Sequence, residues 1–465
     1  MGSLAKNALN VASVSGLRDH FSGEIVLPGD PDYDRSRVVW NAIADRHPSI
    51  IARCAGPDDV IAAVRFARDQ DLRIAVRGGG HSVAGFSTCD GGIVIDLSLM
   101  RGVTVDPQRQ VAVAQGGAHL GQLDKQAQEF GLACPVGVVG HTGVAGLTLG
   151  GGMGRLQRKL GLTIDNLLGV DLITADGRML HASSEENPDL FWGIRGAGAN
   201  FGVATSFELK LHPIGTTVTH GFALHSTDRV HEVGALHRDF VATAPDDIFL
   251  NIGFGIATGA APVPAEMAGR PYVAVGATHS GSLVDAEQTL KPLRGMNPIL
   301  DTFGPKSYLT LQSMNDEGMA WGNRFYMKSA YVDELSDGVL EICAEQMARA
   351  PSAGCEIGFW ALGGAVGRVP DDAMAFTGRQ AGYWVGVETL WEEPSEDEAH
   401  VAWGRAAMAA LKPFTRPGNY VNDMVESGVD VVRAMYGDAK YQRLVGLKRT
   451  YDPDNTFRLN QNIRP

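Results

Sequence analysis

Two textures divide the chain. Up to about residue 212, short apolar runs alternate with glycine-rich loops. Pro57-Asp58-Asp59 reads as a helix start, and apolar residues recur at helical spacing from there to Ala67. Arg73 to Arg77 reads as a strand that runs into a loop, Gly78-Gly79-Gly80-His81-Ser82, and Gly92 to Leu97 as a second strand. Val103 to Val105 and Val111 to Ala114 predict a hairpin around Asp106-Pro107-Gln108-Arg109. Leu120 to Phe130 has a helical pattern that ends at Gly131. A glycine-rich loop is expected from Gly137 to Gly154, then a strand at Leu168 to Thr174, a helical turn at Pro188 to Trp192 and a strand at Gly202 to Leu211.

From Pro213 onward glycine loops thin out. Longer alternating segments take over at Ile248 to Ile256, Tyr272 to Ala277 and Tyr383 to Leu390, as expected of an antiparallel sheet. Helical patterns lie between them at Val339 to Arg349 and Asp397 to Leu411. The pattern predicts an α+β chain in three parts: 1–212, a second domain over 213–424, and a segment over 425–465. The tail from Lys440 to Pro465 is too short to fold alone, so it is expected to return to the first part.

Composition narrows the class. With 44% hydrophobic and 20% charged residues, the 465-residue chain is an ordinary globular one, long enough for two or three domains. A formal charge of −13 disfavours general attraction to nucleic acid or anionic membrane. Five scattered cysteines give no disulfide framework and no Cys-x-x-Cys zinc pair. Met1 to Gly16 lacks a basic start followed by an apolar core, so a cytoplasmic protein is expected.

Of the 58 glycines, a dense group between Gly78 and Gly202 marks backbone that turns tightly or approaches a ligand. Five segments carry candidate chemistry. In the first, Arg77-Gly78-Gly79-Gly80-His81-Ser82 through Gly85, consecutive N–H groups can face one concavity suited to a pyrophosphate. It is not a Gly-x-Gly-x-x-Gly fingerprint, because no helix opens there. The second joins Cys134-Pro135-Val136-Gly137 to His141-Thr142-Gly143, Gly146, Gly150-Gly151-Gly152 and Gly154. The third is Asp189-Leu190-Phe191-Trp192 through Asn200, Gly202 and Val203; the fourth is Gly418-Asn419-Tyr420-Val421-Asn422; the fifth runs from Tyr451 to Asn460 and Asn462. Taken singly, His81 reads equally as an exposed turn histidine and Cys134 as a small buried hydrophobe.

In this order the five segments resemble the berberine-bridge-enzyme-like branch of the FAD-linked oxidases, of the vanillyl-alcohol-oxidase and p-cresol-methylhydroxylase superfamily, in its bacterial form. The resemblance covers about Asp32 to Pro465. It implies a two-subdomain FAD-binding domain of the p-cresol-methylhydroxylase type and an antiparallel-sheet substrate domain covered by helices. It also implies FAD bonded through His81 to the flavin 8α-methyl carbon, and through Cys134 to flavin C6. The Cys134 context is one residue shorter than in bicovalent members, while His141 matches a histidine that hydrogen-bonds near their flavin. The remaining glycines of the first two segments, with Arg77, Ser82, Thr142, Asn200, Gly202, Val203, Asn422, Asn460 and Asn462, are carried over as cofactor contacts.

Tyr420 matches a tyrosine that acts as base in some relatives, and packing beneath the flavin is its other reading. As a base it needs nearby positive charge to lower its pKa from about 10. Plant relatives place a catalytic glutamate in a strand region that reads Gly363-Gly364-Ala365-Val366-Gly367-Arg368 here, with no matching acid. Arg324, Tyr326 and Glu388 are further pocket candidates. The expected reaction is hydride transfer from an alcohol, sugar or amine to FAD, with reoxidation by dioxygen to hydrogen peroxide. Small side chains at Val136 and Val138 are taken to leave room for oxygen. A dehydrogenase with another acceptor and a non-catalytic flavin-binding protein are the alternatives. The expected partners are a small-molecule substrate and O2, with the chain a monomer or homodimer.

Overall fold

The computed structural model describes residues 11–465, so most of the reading of Met1 to Gly16 lies outside the described residues. In the first part, Ile93–Asp96 lies between Ile50–Arg53 and Ile74–Arg77, parallel to both, and Glu24–Val26 pairs antiparallel at one edge. Ile50, Ile51, Ile93 and Ile95 are wholly buried, as near-continuous apolar strands are when both faces of a parallel sheet are covered. Helix Pro57–Asp69 covers this sheet with Val60, Ala63, Val64 and Ala67, the face that the spacing predicts. Proline opens the helix, and Asp59 accepts hydrogen bonds from the N–H groups of Ser22, Gly23 and Ala55. The loop bearing His81 leaves the carboxyl end of Ile74–Arg77, where ligand sites gather on sheets of this kind.

A five-stranded antiparallel sheet follows, in the order Val103–Asp106, Val111–Gln115, Val203–Lys210, Leu167–Ile173, Met179–Ser183. The stretch expected as a continuous loop after Gly137 instead contains helix Val144–Gly150. Val144, Ala145, Thr148 and Leu149 bury one face of it, and glycines at its N-cap, within it and at its C-terminal end hid that periodicity.

The largest sheet has nine strands. Its centre runs in the order Pro271–His279, Ile248–Ile256, Cys355–Ala361, Tyr383–Trp391 and Arg324–Val332, all antiparallel. Strict alternation sorts the two faces. Ile248, Leu250, Ile252 and Phe254, with Ile357, Phe359, Val385 and Val387, pack under helices Val230–Thr243, Asp337–Met347 and Asp397–Leu411. Each such side chain contributes about 1.5–3 kcal/mol when fully buried. The opposite face of the sheet turns toward the glycine loops. Gly363 to Arg368, expected in a strand, forms helix Gly364–Arg368, so the sheet takes its acidic residues from the strands on either side.

The tail is clipped to the first part. Lys448, fully buried beside Asp452, donates to the carbonyls of Asn200 and Phe457. Asn200 donates to the Gln461 carbonyl and accepts from Ile463 N–H, and Asn460 donates to the Ala199 carbonyl. These bonds bring Leu459 to Gln461 to the cavity described next.

Candidate active site

A cavity of about 720 Å³ separates the glycine loops from the open face of the large sheet. One wall consists of Gly78 to Ser82, Thr142, Gly143 and Gly146, with Gly198, Asn460 and Gln461 from the returning tail region. The loops interlock through backbone: a Cβ on Gly79 would lie 2.2 Å from the Gly143 nitrogen, so neither loop tolerates a side chain there.

His81 is held on this wall with its ring stacked on Trp40, centroids 4.6 Å apart. Trp40 is itself fixed by donating from its indole nitrogen to the Met319 carbonyl. The His81 Nε2 lies 2.6 Å from His141 Nδ1, and His141 Nε2 lies 3.3 Å from the Asp316 carbonyl. A carbonyl only accepts, so the proton of a neutral His141 sits on Nε2. Its Nδ1 therefore accepts from His81 Nε2–H, which leaves His81 Nδ1 with a free lone pair. Burial, then the neighbouring His141, lowers the His81 pKa to about 3, which keeps the ring neutral and nucleophilic.

The facing wall is acidic and aromatic. Glu356 and Glu388 stand directly opposite each other on adjacent strands and both project into the cavity. Asp423, beside Tyr420, accepts a 2.9 Å hydrogen bond from the Trp384 indole nitrogen. Burial, then Glu356 and Asp423, raises the Glu388 pKa to about 8, and burial raises that of Asp423 to about 7. Glu356 is exposed to the open cavity space, and desolvation by the surrounding protein raises its pKa as well.

Tyr420 also lines the cavity. Its hydroxyl oxygen accepts from Gly152 N–H at 2.9 Å and from Asn422 Nδ2 at 2.8 Å. Burial, then Asp423, pushes its pKa up. Among the described residues no Lys or Arg lines the cavity beside it, and its two hydrogen bonds hold the Gly150–Gly152 bend in place.

Several expected contacts fall elsewhere. Cys134 is wholly buried in an apolar core with Leu120, Leu123 and Val136, and burial, then Asp124, raises its thiol pKa far from the thiolate range. Among the described residues the cavity is lined by Val138 and Val139 of the same segment and not by Cys134, and Val136 is likewise a core residue. Arg77 is buried, donating to the Ser36 and Ser87 carbonyls beside Asp96, and braces the loop from behind. Gly85 packs on Ala44, Gly150 on Asn422, Gly152 on Thr163 and Gly154 on the Val136 carbonyl, while Gly151 turns at a φ of +136° against Phe376. These glycines shape the loops without lining the cavity. Asn200 pins the tail, Val203 is core, and Gly202 and Asn462 also lie off the lining. Arg324 pairs with Asp397, and Tyr326 lies beneath helix Asp397–Leu411. Ser82, Asn422, Asn460 and Glu388 do reach the cavity.

Glu356, Asp423, Trp360, Trp384 and Tyr272 were not singled out from the sequence. Their signal was faint: Glu356 and Glu388 are each the one charged residue in an otherwise uncharged strand.

Two family models match the chain, one described as an FAD binding domain over residues 48–183 and one as berberine and berberine like over residues 418–464. (R)-6-hydroxynicotine oxidase of Paenarthrobacter nicotinovorans is 34% identical over 95% of this chain and 97% of its own length. The uncharacterized FAD-linked oxidoreductase YgaK of Bacillus subtilis is 31% identical over 96% and 97%. The chain belongs to the berberine-bridge-enzyme-like family of FAD-linked oxidoreductases. The crystal structure of 6-hydroxy-D-nicotine oxidase from Arthrobacter nicotinovorans superposes with a TM-score of 0.84 at 31% identity, over 96% of this chain and 98% of that one. A xylooligosaccharide oxidase from Myceliophthora thermophila shares the fold, with a TM-score of 0.85 at 23% identity over 98% and 99%.

The cavity suits the cofactor of this family. A Cβ on Gly146 or Gly198 would meet nothing within 4 Å, so these glycines keep space open that side chains would fill. Asn460 lines the same cavity, and its side-chain oxygen is buried without a hydrogen-bond partner. Among the described residues no Lys or Arg lines the cavity, which leaves backbone N–H groups of the glycine loops to meet phosphate charge. Among the described residues, no helix is long and apolar enough to cross a membrane.

Proposed function

We propose that this protein is an FAD-dependent oxidase in which His81 bonds covalently to the flavin. A small organic substrate is oxidised at a carbon bearing nitrogen or oxygen, and dioxygen is the final electron acceptor, giving hydrogen peroxide. The observation that carries this reading is the neutral His81 ring on the cavity wall, its Nδ1 lone pair freed by the bond from Nε2 to His141. When bound, FAD supplies a two-electron acceptor for the hydride.

The chain's own groups do the rest. Trp40 fixes the plane of the His81 ring. His141 fixes its tautomer and is placed to take the Nε2 proton as Nδ1 forms its bond to carbon. Such a bond would replace one C–H and one N–H, releasing two electrons and two protons, with dioxygen as their last acceptor. Gly78 to Gly80 and Gly143 admit a ligand against the backbone. Asn460 lines the cavity beside these loops, and the sheet wall closes the substrate side away from bulk water. The oxidase names among the relatives support the reading, as does the presence of Val138 and Val139 where larger side chains would crowd dioxygen.

Two measurements test it. Tryptic peptides of the denatured enzyme should show the flavin mass on the peptide containing His81 and on no peptide containing Cys134. Flavin reduced anaerobically should reoxidise rapidly in air with stoichiometric peroxide. Slow reoxidation would turn the assignment toward a dehydrogenase with a different acceptor.

A further inference from the structure

Cross-strand register places three rows of residues on the cavity face of the large sheet. One row reads Tyr272, Gly255, Glu356, Glu388, Met327. The next reads Ala274, Gly253, Gly358, Gly386, Ser329, and the third Gly276, Asn251, Trp360, Trp384, Tyr331. The middle row has almost no side chains. It is a trough with carboxylates along one bank and indoles along the other.

Both banks lean over the trough. An oxygen of Glu356 lies 3.3 Å from where a Cβ on Gly253 would be, and an oxygen of Glu388 lies 3.1 Å from that point on Gly386. The Trp384 ring reaches the same point over Gly386 from the other side, at 2.4 Å. Carboxylate and indole thus border one small volume, and Trp360 packs against Trp384 with centroids 5.2 Å apart. Trp384 is fixed there by its bond to Asp423.

The charge balance is one-sided. Among the described residues the lining carries three carboxyl groups, Glu356, Glu388 and Asp423, and no Lys or Arg. Glu356 and Glu388 have no cation or hydrogen-bond donor acting on them, and each makes the other harder to ionise. Two carboxyl groups side by side on a cavity wall without a cation are favoured in their charged form by a cationic partner, and an indole face favours the same charge that a carboxylate does. A neutral sugar or alcohol would leave the pair uncompensated.

Resting on the oxidase reading above, we infer that the substrate is a protonated amine, seated between the Glu356–Glu388 pair and the Trp360–Trp384 indoles. An ammonium must lose one N–H proton before the adjacent carbon can release hydride and a C=N bond can form. The carboxylate pair is the proton acceptor on that wall, and FAD is the oxidant. The other titratable groups lining the cavity are Asp423, Tyr272, Tyr420 and Cys355, all acids, and His81 on the loop wall, kept neutral by burial.

The test uses the flavin-loaded enzyme and two probes of one shape, 2-phenylethylamine and 2-phenylethanol, titrated anaerobically and followed by flavin absorbance. The amine should bind at least about tenfold more tightly than the alcohol, the size expected of a desolvated cation between carboxylate and indole. That preference should collapse in both Glu356→Gln and Glu388→Gln, whose retained flavin spectrum reports an intact fold. In the wild type it should grow as pH rises through about 8, where Glu388 ionises. Equal binding of the two probes, or a preference unchanged in both variants, would overturn the inference. Failure of the oxidase reading is seen separately: reduced wild-type enzyme would then resist reoxidation by air, whatever its charge preference.

Discussion

The two walls of the cavity are built on opposite principles. The loop wall is made of residues close in sequence, packed backbone to backbone, with a neutral histidine at its centre. The sheet wall is made of residues brought together by register alone, and it carries carboxyl groups whose burial resists ionisation. A loop wall of glycines can accept a cofactor common to a whole family, because it presents backbone, which differs little between members. A sheet wall presents alternate side chains, each replaceable without disturbing the ladder, and so is where one member can differ from another in substrate.

The sharpest way to break this comparison is at His81. His81→Ala should abolish covalent flavin altogether, read as loss of flavin mass from the denatured protein. His141→Ala should slow attachment without moving it, because the tautomer is then no longer held; incorporation followed over time in apoprotein given FAD measures this. Retention of covalent flavin in His81→Ala would place the anchor elsewhere and dissolve the assignment of the loop wall.

The interlocked backbone comes next. Gly79→Ala puts a methyl group 2.2 Å from the Gly143 nitrogen, so the two loops must part. Overpacking of this kind costs about 1–3 kcal/mol. A lower denaturation midpoint together with weaker flavin retention is expected. Gly198→Ala, where the added carbon meets no protein atom, should weaken flavin retention more than it lowers stability. Left-handed backbone at that position, with a φ of +62°, adds a strain of its own.

How much of this could be read from the sequence follows the same division. The loop wall was legible because its residues are consecutive: Gly78 to Ser82 and His141 to Gly143 were placed at the site from the chain alone. The alternating strands at Ile248 to Ile256 and Tyr383 to Leu390 were also legible, since period-two patterning survives without tertiary context. The Glu356–Glu388 pair was not, because which two strands adjoin, and in what register, is decided by packing over the whole sheet. Tyr420 was placed at the cavity correctly, but its chemistry depends on which charges surround it, and these are Asp423 and the glutamates rather than a cation. The burial of Cys134 was hidden for a third reason: its neighbours in sequence resemble a reactive context, while exposure, on which thiol chemistry depends, is a tertiary property.

The sheet wall is tested by pH. Glu388 and Asp423 have pKa values in the fold, about 8 and about 7, above those of ordinary carboxyl groups. The native state therefore holds protons that the unfolded chain has released between roughly pH 4 and 8. Their contribution to stability is fully present below the unfolded carboxyl pKa and is lost as pH rises through the folded values. Melting temperature should fall across that window, and Glu388→Gln should flatten the fall. Saturating amine should flatten it too, by pairing with the ionised carboxylates, whereas the matched alcohol should not.

The smallest effect is expected at Cys134, and its smallness is what makes it informative. The side chain is wholly buried with no polar partner, in a core with Leu120, Leu123 and Val136. Cys134→Ala removes only a sulfur atom from packed surroundings, a loss of about 1 kcal/mol by analogy with small core truncations. The flavin spectrum, covalent flavin content and turnover should be unchanged. A thiol that bonded the cofactor would behave differently on every one of these measures, with a shifted flavin absorbance and slower turnover in the alanine variant. The two residues that the sequence offers as anchors, His81 and Cys134, are thus separable by paired alanine variants. The physical basis of the separation is where each side chain ends: one at the cavity with a lone pair free, the other in a core that holds its proton.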